Sequence, residues 1–285
     1  MENADGTYLY VLLTSAFNAN DPLAVLSLLF LFLARMLPII AIAPFFGSRV
    51  LPHPVKMTLT LSLFVIFLPQ LLTVTTQHLT FSPYTLLLIG KELFIGFILG
   101  FIISMPFTIA QNTGLIIDHQ RGGASLMVND PTIQNQSSPL GTLFNMVLIY
   151  LFFTIDGPFI FLNAMIDSYN VIPPDQFINT AFFDKASNFW DLMVKLFNKV
   201  MVLSMQLSAP ALLAILMTDT FLGIANRLAP QVQITFLGMP LKSLLALVVV
   251  CFGFRLLSEE LIRQCYHWLD TIASILKMLA ATNTT

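Results

Sequence analysis

The chain has 285 residues, of which 56% are hydrophobic and only 10% charged, and its formal net charge is −2. A soluble domain carries about 25% charged residues, so this composition excludes a globule covered by its own polar surface. The near-neutral charge excludes a polybasic lipid or nucleic-acid binder. Mean hydropathy is +0.82, and the apolar residues come in runs of membrane length, which favours spanning helices over a barrel.

The opening, "MENADGTYLY", is acidic and lacks a basic n-region. No cleavable signal peptide is expected, and the first apolar run serves as its own insertion signal. That run is Leu23 to Phe46, interrupted by Arg35 and Pro38. The turn "GSRVLPHPVK" follows, broken by Gly47, Pro52 and Pro54. A second run spans Met57 to Thr76 around Pro69, and the uncharged turn "QHLTFSPY" leads to a third, Thr85 to Ala110. The third run carries Lys91 and Glu92 side by side, then Gly96 and Gly100. A long non-helical segment comes next, "IIDHQRGGASLMVNDPTIQNQSSPLG".

The fourth run is Leu140 to Ile166, with Asp156 and Gly157 inside it. An acidic loop (Asp167, Asp175, Asp184, Asp191, opposed by Lys185) contains Pro173 and Pro174. A fifth run covers Val200 to Met217 and a sixth Ser243 to Leu257, separated by "DTFLGIANRLAPQVQITFLGMPLK". Glu259 to Leu279 reads as a separate tail helix with a stripe of Leu261, Cys265, Trp268, Ile272 and Ile275. Cys251 and Cys265 show no metal or redox spacing and read as small apolar residues. The fold class expected is therefore all-α: one polytopic domain of roughly six long, kinked helices in hairpins. The basic turn near Arg49 to Lys56 faces the cytoplasm and the acidic loop faces outward. Alternation puts the N-terminus outside, and the Ile116–Gly141 segment and the "NRLAPQ" turn inside. The mixed-sign tail has no assigned side.

Four charges fall within runs: Arg35, Lys91, Glu92 and Asp156. Each costs on the order of 2.5–3.5 kcal/mol at the centre of a bilayer, so each needs a partner, water or protein cover. Lys91 is adjacent to Glu92 and poorly placed on a helix to pair with it, so Arg35 or another subunit is the expected partner of Glu92. Pro38, Pro44, Pro69, Pro106, Pro158, Pro210 and Pro240 interrupt the runs and favour kinks. Helices this broken suit packing against protein neighbours. Gly96 and Gly100 form a GxxxG step that lets helices approach closely.

Catalytic signatures are missing: there is no HExxH, no CxxC and no nucleophile elbow. His53, His78, His119 and His267 are scattered, Ser125 is a loop serine, and Asp118 and His119, being adjacent, do not face each other. No cofactor or metal is expected. Broken helices and buried acids also suit an ion-coupled carrier, with Glu92 and Asp156 as its coupling groups. In the long segment Gly122 and Gly123 allow unusual backbone, and Asp130–Pro131 favours a turn. Leu126, Met127 and Val128 are poor residues to expose. They either fold back onto their own helices or form an apolar constriction, since such bulk gates by excluding water and methionine packs adaptably.

Five stretches, in order, resemble the FliR/SctT family of type III secretion export-apparatus proteins: "ARMLPIIAIAPFFGSRVLPHPVK", "KELFIGFILGF", "GLIIDHQRGGASLMVNDP", "IDGP" and "GIANRLAPQVQITFLGMPLK". Pro158 departs from the family's usual residue after the Asp-Gly turn. The resemblance implies a non-enzymatic subunit of an inner-membrane export gate raised toward the periplasm within the secretion ring and rod. It implies FliP/SctR-like and FliQ/SctS-like sibling subunits and an FlhB/SctU-like switch subunit, with membrane lipid around and unfolded protein passing through. It implies a FliP-like part over 1–183 and a FliQ-like hairpin with tail over 184–285. The pore plug would be Gly122, Gly123, Ala124, Ser125, Leu126, Met127, Val128, Asn129, Asp130 and Pro131. Arg35, Glu92, Gly96 and Gly100 would serve inter-subunit packing or charge pairing. Arg227, Pro230 and Gln231 would lie in the cytoplasmic turn near the switch protein. The polar continuation "TIQNQSSPLG" and Lys242 look more like an injectisome than a flagellar member.

Overall fold

The computed structural model describes residues 22–46, 51–75, 83–122, 138–177, 188–228 and 234–281. Among them are seven α-helices and one 3₁₀ turn: α1 Pro22–Ile42, the turn Pro44–Phe46, α2 His53–Val74, α3 Pro83–Gln120, α4 Pro139–Thr154, α5 Gly157–Val171, α6 Asn188–Leu228 and α7 Ile234–Ala281. The fold is all-α, and the chain is a multi-pass membrane protein by its helices. Five of them are long and apolar enough to cross a membrane, or six spans if α4 and α5 count as one.

Prolines play two roles here. Pro22, Pro54, Pro83, Pro139 and Pro158 fall at the first or second position of a helix, where the missing N–H costs nothing and the fixed φ favours helix entry. Pro38, Pro69, Pro106, Pro210 and Pro240 lie inside helices that continue past them. Pro44 and Pro158 therefore mark boundaries and do not interrupt a helix.

Two expectations change. The fourth run is not one helix: α4 and α5 meet at a 75° bend. Asp156, expected within that run, sits at the corner with φ 56. Its carbonyl accepts from the amides of Phe159 (3.0 Å) and Ile160 (3.2 Å). The sequence Asp-Gly-Pro explains the break. Asp tolerates the left-handed conformation, and a following X-Pro step disfavours helix just before it. The tail is not a separate helix either, because α7 runs unbroken to Ala281. Its polar patch at Arg255 to Glu260 stays helical, supported by the Arg255–Glu259 pair at i,i+4.

The chain divides into two compact units, one of residues 1–104, 156–192 and 267–285, the other of 105–155 and 193–266. In the first, α1 buries one continuous stripe: Ala24, Ser27, Leu28, Leu31, Phe32, Arg35, Met36, Ile39 and Ile40. The spacing of three and four makes one helix face. Phe32 stacks on Tyr169 (5.8 Å) and meets Phe64 edge-on (5.5 Å), which ties α1 to α2 and α5. The opposite face of α1 exposes Leu23, Val25, Leu26 and Phe30.

In the second unit Phe107 of α3 meets Phe152 of α4 edge-on at 5.7 Å. Gly114 and Gly141 bring those helices into backbone contact: a Cβ on Gly141 would lie 2.7 Å from the Gln111 carbonyl oxygen. The apolar spans of α6 and α7 are mostly uncovered, with 28% and 6% of their windows buried, against 50% for α1. In hydrocarbon, apolar surface alone does not drive helices together, so close glycine contacts and buried polar pairs matter most.

Candidate functional site

The first unit holds a closed cluster of charges. Arg35, at the centre of the α1 stripe, grips Glu92 of α3 with two nitrogens: Nε donates to Oε2, and Nη2 donates to Oε1 at 2.9 Å. Nη2 also donates to the Ile172 carbonyl (2.8 Å), while Nη1 donates to the Ser168 carbonyl (3.0 Å) and hydroxyl (3.2 Å). A guanidinium has five N–H donors, and these five contacts use them all. The Arg35 guanidinium also lies 4.1 Å from the centre of the Tyr169 ring, a cation–π contact.

Lys91 corrects the reading that adjacency keeps it from Glu92. Its Nζ is 2.7 Å from Glu92 Oε1 and donates to the carbonyls of Pro173 (2.9 Å), Gln176 (2.9 Å) and Pro174 (3.3 Å). The long, flexible stem of lysine curls round the helix because these carbonyls gather beside it. Both cations thus face the C-terminal end of α5 and the segment after it, where free carbonyls carry partial negative charge. Arg35 and Glu92 are fully buried, and Lys91 is nearly so.

Gly96 and Gly100 stand on the same face of α3, directly beneath this cluster. A Cβ at Gly96 would meet the Arg35 backbone, 2.9 Å from its carbonyl carbon. One at Gly100 would lie 3.1 Å from Ile39 Cα. All four residues (Arg35, Glu92, Gly96 and Gly100) therefore come together between α1 and α3 of this one chain.

The second unit holds a clasp at the base of the long segment. Asp118, in the last turn of α3, is buried. Its Oδ2 accepts from the Ser138 hydroxyl and from the Leu140 amide (3.0 Å), and its Oδ1 accepts from Arg121 Nε (2.7 Å). Ser138 is the N-cap of α4, and its hydroxyl accepts from the Gly141 amide at 2.9 Å. One carboxylate thus joins the end of α3 to the start of α4. Gly122, at φ 93, closes α3 in the left-handed region that glycine enters freely. Its amide donates to the His119 carbonyl at 3.3 Å. Arg121 reaches further and donates from Nη1 to the Ser243 hydroxyl of α7 at 3.0 Å.

Gly123, Ala124, Ser125, Leu126, Met127, Val128, Asn129, Asp130 and Pro131 lie outside the described residues. So do Pro230 and Gln231, while Arg227 is exposed in the last turn of α6. Asp118, Arg121, Ser138 and Ser243 were not singled out as site residues from the sequence. Asp118 and Arg121 stand at i,i+3, and Ser138-Pro139 is a cap signature. Ser243, 122 residues from Arg121, carries no local sign.

The geometry offers little to ion coupling through Glu92 or Asp156. Both Glu92 oxygens are engaged by cations, and Asp156 stands exposed at a corner. Among the described residues no three His, Cys, Asp or Glu side chains gather as a metal site. A cavity of about 490 Å³ in the second unit is lined by apolar residues including Leu207, Pro210, Val249, Phe252 and Leu256, with Gln206 its polar member.

The sequence model of bacterial export proteins, family 1, matches residues 26–267. The Yop proteins translocation protein T of Yersinia pestis is 32% identical over 64% of this chain and 69% of its own length. The secretion system apparatus protein SsaT of Salmonella typhimurium is 30% identical over 73% of the chain and 77% of its own length. The flagellar biosynthetic protein FliR of Escherichia coli is 26% identical over 89% of the chain and 95% of its own length.

Proposed function

The chain belongs to the bacterial export proteins, family 1, which is the FliR/SctT family, and on that premise we propose that it is a non-enzymatic subunit of a type III secretion export gate. Gly122 to Pro131 plug its pore in the inner membrane, and unfolded protein passes when the plug yields. The observation that carries this reading is the family match over 26–267, which includes the whole of that segment. The Asp118 clasp supports it. A stopper needs its two stems fixed so that the chain between them is presented in one place, and one buried carboxylate binds both stems.

The gate belongs to an injectisome rather than a flagellum. Identity is higher to the Yop translocation protein and SsaT, at 32% and 30%, than to flagellar FliR at 26%. Its neighbours are FliP/SctR-like and FliQ/SctS-like subunits in the inner membrane, in an assembly that protrudes toward the periplasm. The 1–183 part is FliP-like and 184–285 FliQ-like. The turn of Arg227, Pro230 and Gln231 lies by an FlhB/SctU-like switch subunit. The uncovered windows of α6 and α7 supply apolar surface for such siblings.

Deleting Gly123 to Asn129 tests the plug. The expected outcome is an intact complex whose membrane conducts ions and small solutes. An intact complex with unchanged conductance sinks the assignment. Purification in mild detergent separates gate from carrier. Two smaller hydrophobic proteins should accompany the chain, whereas a homo-oligomer with substrate-driven ion flux would favour the carrier.

A further inference from the structure

Neighbouring residues of α7 hold on to two different helices. Lys242 forms an ion pair with Asp219 of α6. Ser243, next in the chain, accepts from Arg121, whose Nε is committed to Asp118. Asp118 in turn holds Ser138 and the Leu140 amide. A continuous polar chain therefore runs from α6 through α7 to the end of α3 and the cap of α4, all inside one compact unit.

The components differ in strength. Asp118 is buried and accepts three hydrogen bonds, and α3 and α4 touch backbone to backbone at Gly114 and Gly141. That joint is rigid. The arm of Arg121 is 12% exposed, and it holds α7 through a neutral hydroxyl, a weaker partner than a carboxylate. The Lys242–Asp219 pair is partly exposed as well, at 26% and 42%. Gly238 of α7 faces Leu222 of α6, whose Cδ1 would lie 3.1 Å from a Cβ added there, and this contact and the Lys242–Asp219 pair tie the two helices near this point.

We infer that Arg121 is a positioning residue that couples the α6–α7 hairpin to the base of the plug segment through Ser243, so that displacement of the hairpin loosens the hold on the stems. The inference rests on the plug reading for its effect on conductance, but the mechanical link stands on its own. A coupling claim needs a shared element that both sites bias; here that element is the Arg121 side chain, which bonds Asp118 and Ser243 at once.

The test uses the assembled complex in a Cys251→Ala/Cys265→Ala background. Spin labels go at His119 and Leu244, which are exposed and neighbour the two ends of the link. The distance distribution should be narrow in the parent and broader in both Arg121→Gln and Ser243→Ala, and the double variant should be no broader than Arg121→Gln. In conductance, each single variant should raise the time spent conducting by about tenfold, the order expected for losing one charge-assisted hydrogen bond. The double variant should add nothing beyond Arg121→Gln, because the bond that Ser243→Ala removes is already lost with the guanidinium. A distribution as narrow as the parent's in both single variants overturns the link, whatever the conductance. A broadened distribution without increased conductance overturns the coupling if the Gly123–Asn129 deletion itself leaks. If the deletion does not leak, the plug reading fails and the distances alone decide the link.

Discussion

The two buried charge clusters obey one rule with opposite results. At Arg35, Glu92 and Lys91 the cations' N–H groups are matched by a carboxylate, a hydroxyl and backbone carbonyls, with the side chains 0–2% exposed. At Asp118 the carboxylate is as deeply buried, but its cation Arg121 is 12% exposed and extends to a hydroxyl on another helix. The first cluster uses all five Arg35 donors within the unit, so it ties α1, α3 and α5 together. The second spends its buried member on the loop base and leaves an arm that can let go. Burial of the anion alone therefore does not distinguish a staple from a joint; the exposure and second partner of the cation do.

The largest effect should come from breaking the staple. Glu92→Ala leaves Arg35 and Lys91 buried without their anion, and a loss of about 3–5 kcal/mol is expected. Thermal denaturation of the purified complex, or failure to recover the chain in it, reads this. A change below about 1 kcal/mol, the size of a surface pair, would mean that the cluster is open after all.

A smaller effect is expected from Gly96→Ala, which pushes a methyl group into the Arg35 backbone. It should cost about 1–3 kcal/mol by overpacking, whereas Gly90→Ala, with nothing within 4 Å, should be neutral or gain about 0.5–1 kcal/mol. Equal melting temperatures for the two variants would remove the close approach of α1 and α3.

The smallest effect belongs to the joint. Ser138→Ala removes the N-cap of α4 and one of the Asp118 hydrogen bonds, at about 1 kcal/mol. The complex should still assemble, with faster amide exchange at Leu140 and Gly141. Unchanged exchange there would show that the clasp does not hold the stem.

The sequence carried the helices well, because runs of twenty or more apolar residues leave few alternatives. It also showed that Arg35 and Glu92 each needed a partner, since the cost of an unpaired charge in hydrocarbon is high. Other features were harder to read. The Asp-Gly turn at Asp156 was legible through the family resemblance, but the apolar run on either side gave no sign that it breaks the span by 75°. The Lys91–Glu92 pair depends on carbonyls more than eighty residues away, which no local spacing reveals. The tail from Glu259 was read apart from the sixth run, which ends at Leu257, yet the Arg255–Glu259 pair at i,i+4 spans that point within one helix. The link from Arg121 to Ser243 joins two ordinary polar residues and becomes visible only once α3 and α7 are set side by side.

The reach of α7 has a consequence of its own. Its span from Gly238 to Trp268 has 31 residues, about 46 Å at 1.5 Å per residue. The hydrocarbon core of a bilayer is about 30 Å thick, which the largely apolar stretch from Gly238 to Leu257 already fills. From Ser258 onward the helix carries Glu259, Glu260, Arg263, Gln264 and His267, which suit water or headgroups. The same unbroken helix therefore leaves the hydrocarbon as a charged shaft, and whatever bears on that shaft is levered directly against the buried part of the helix.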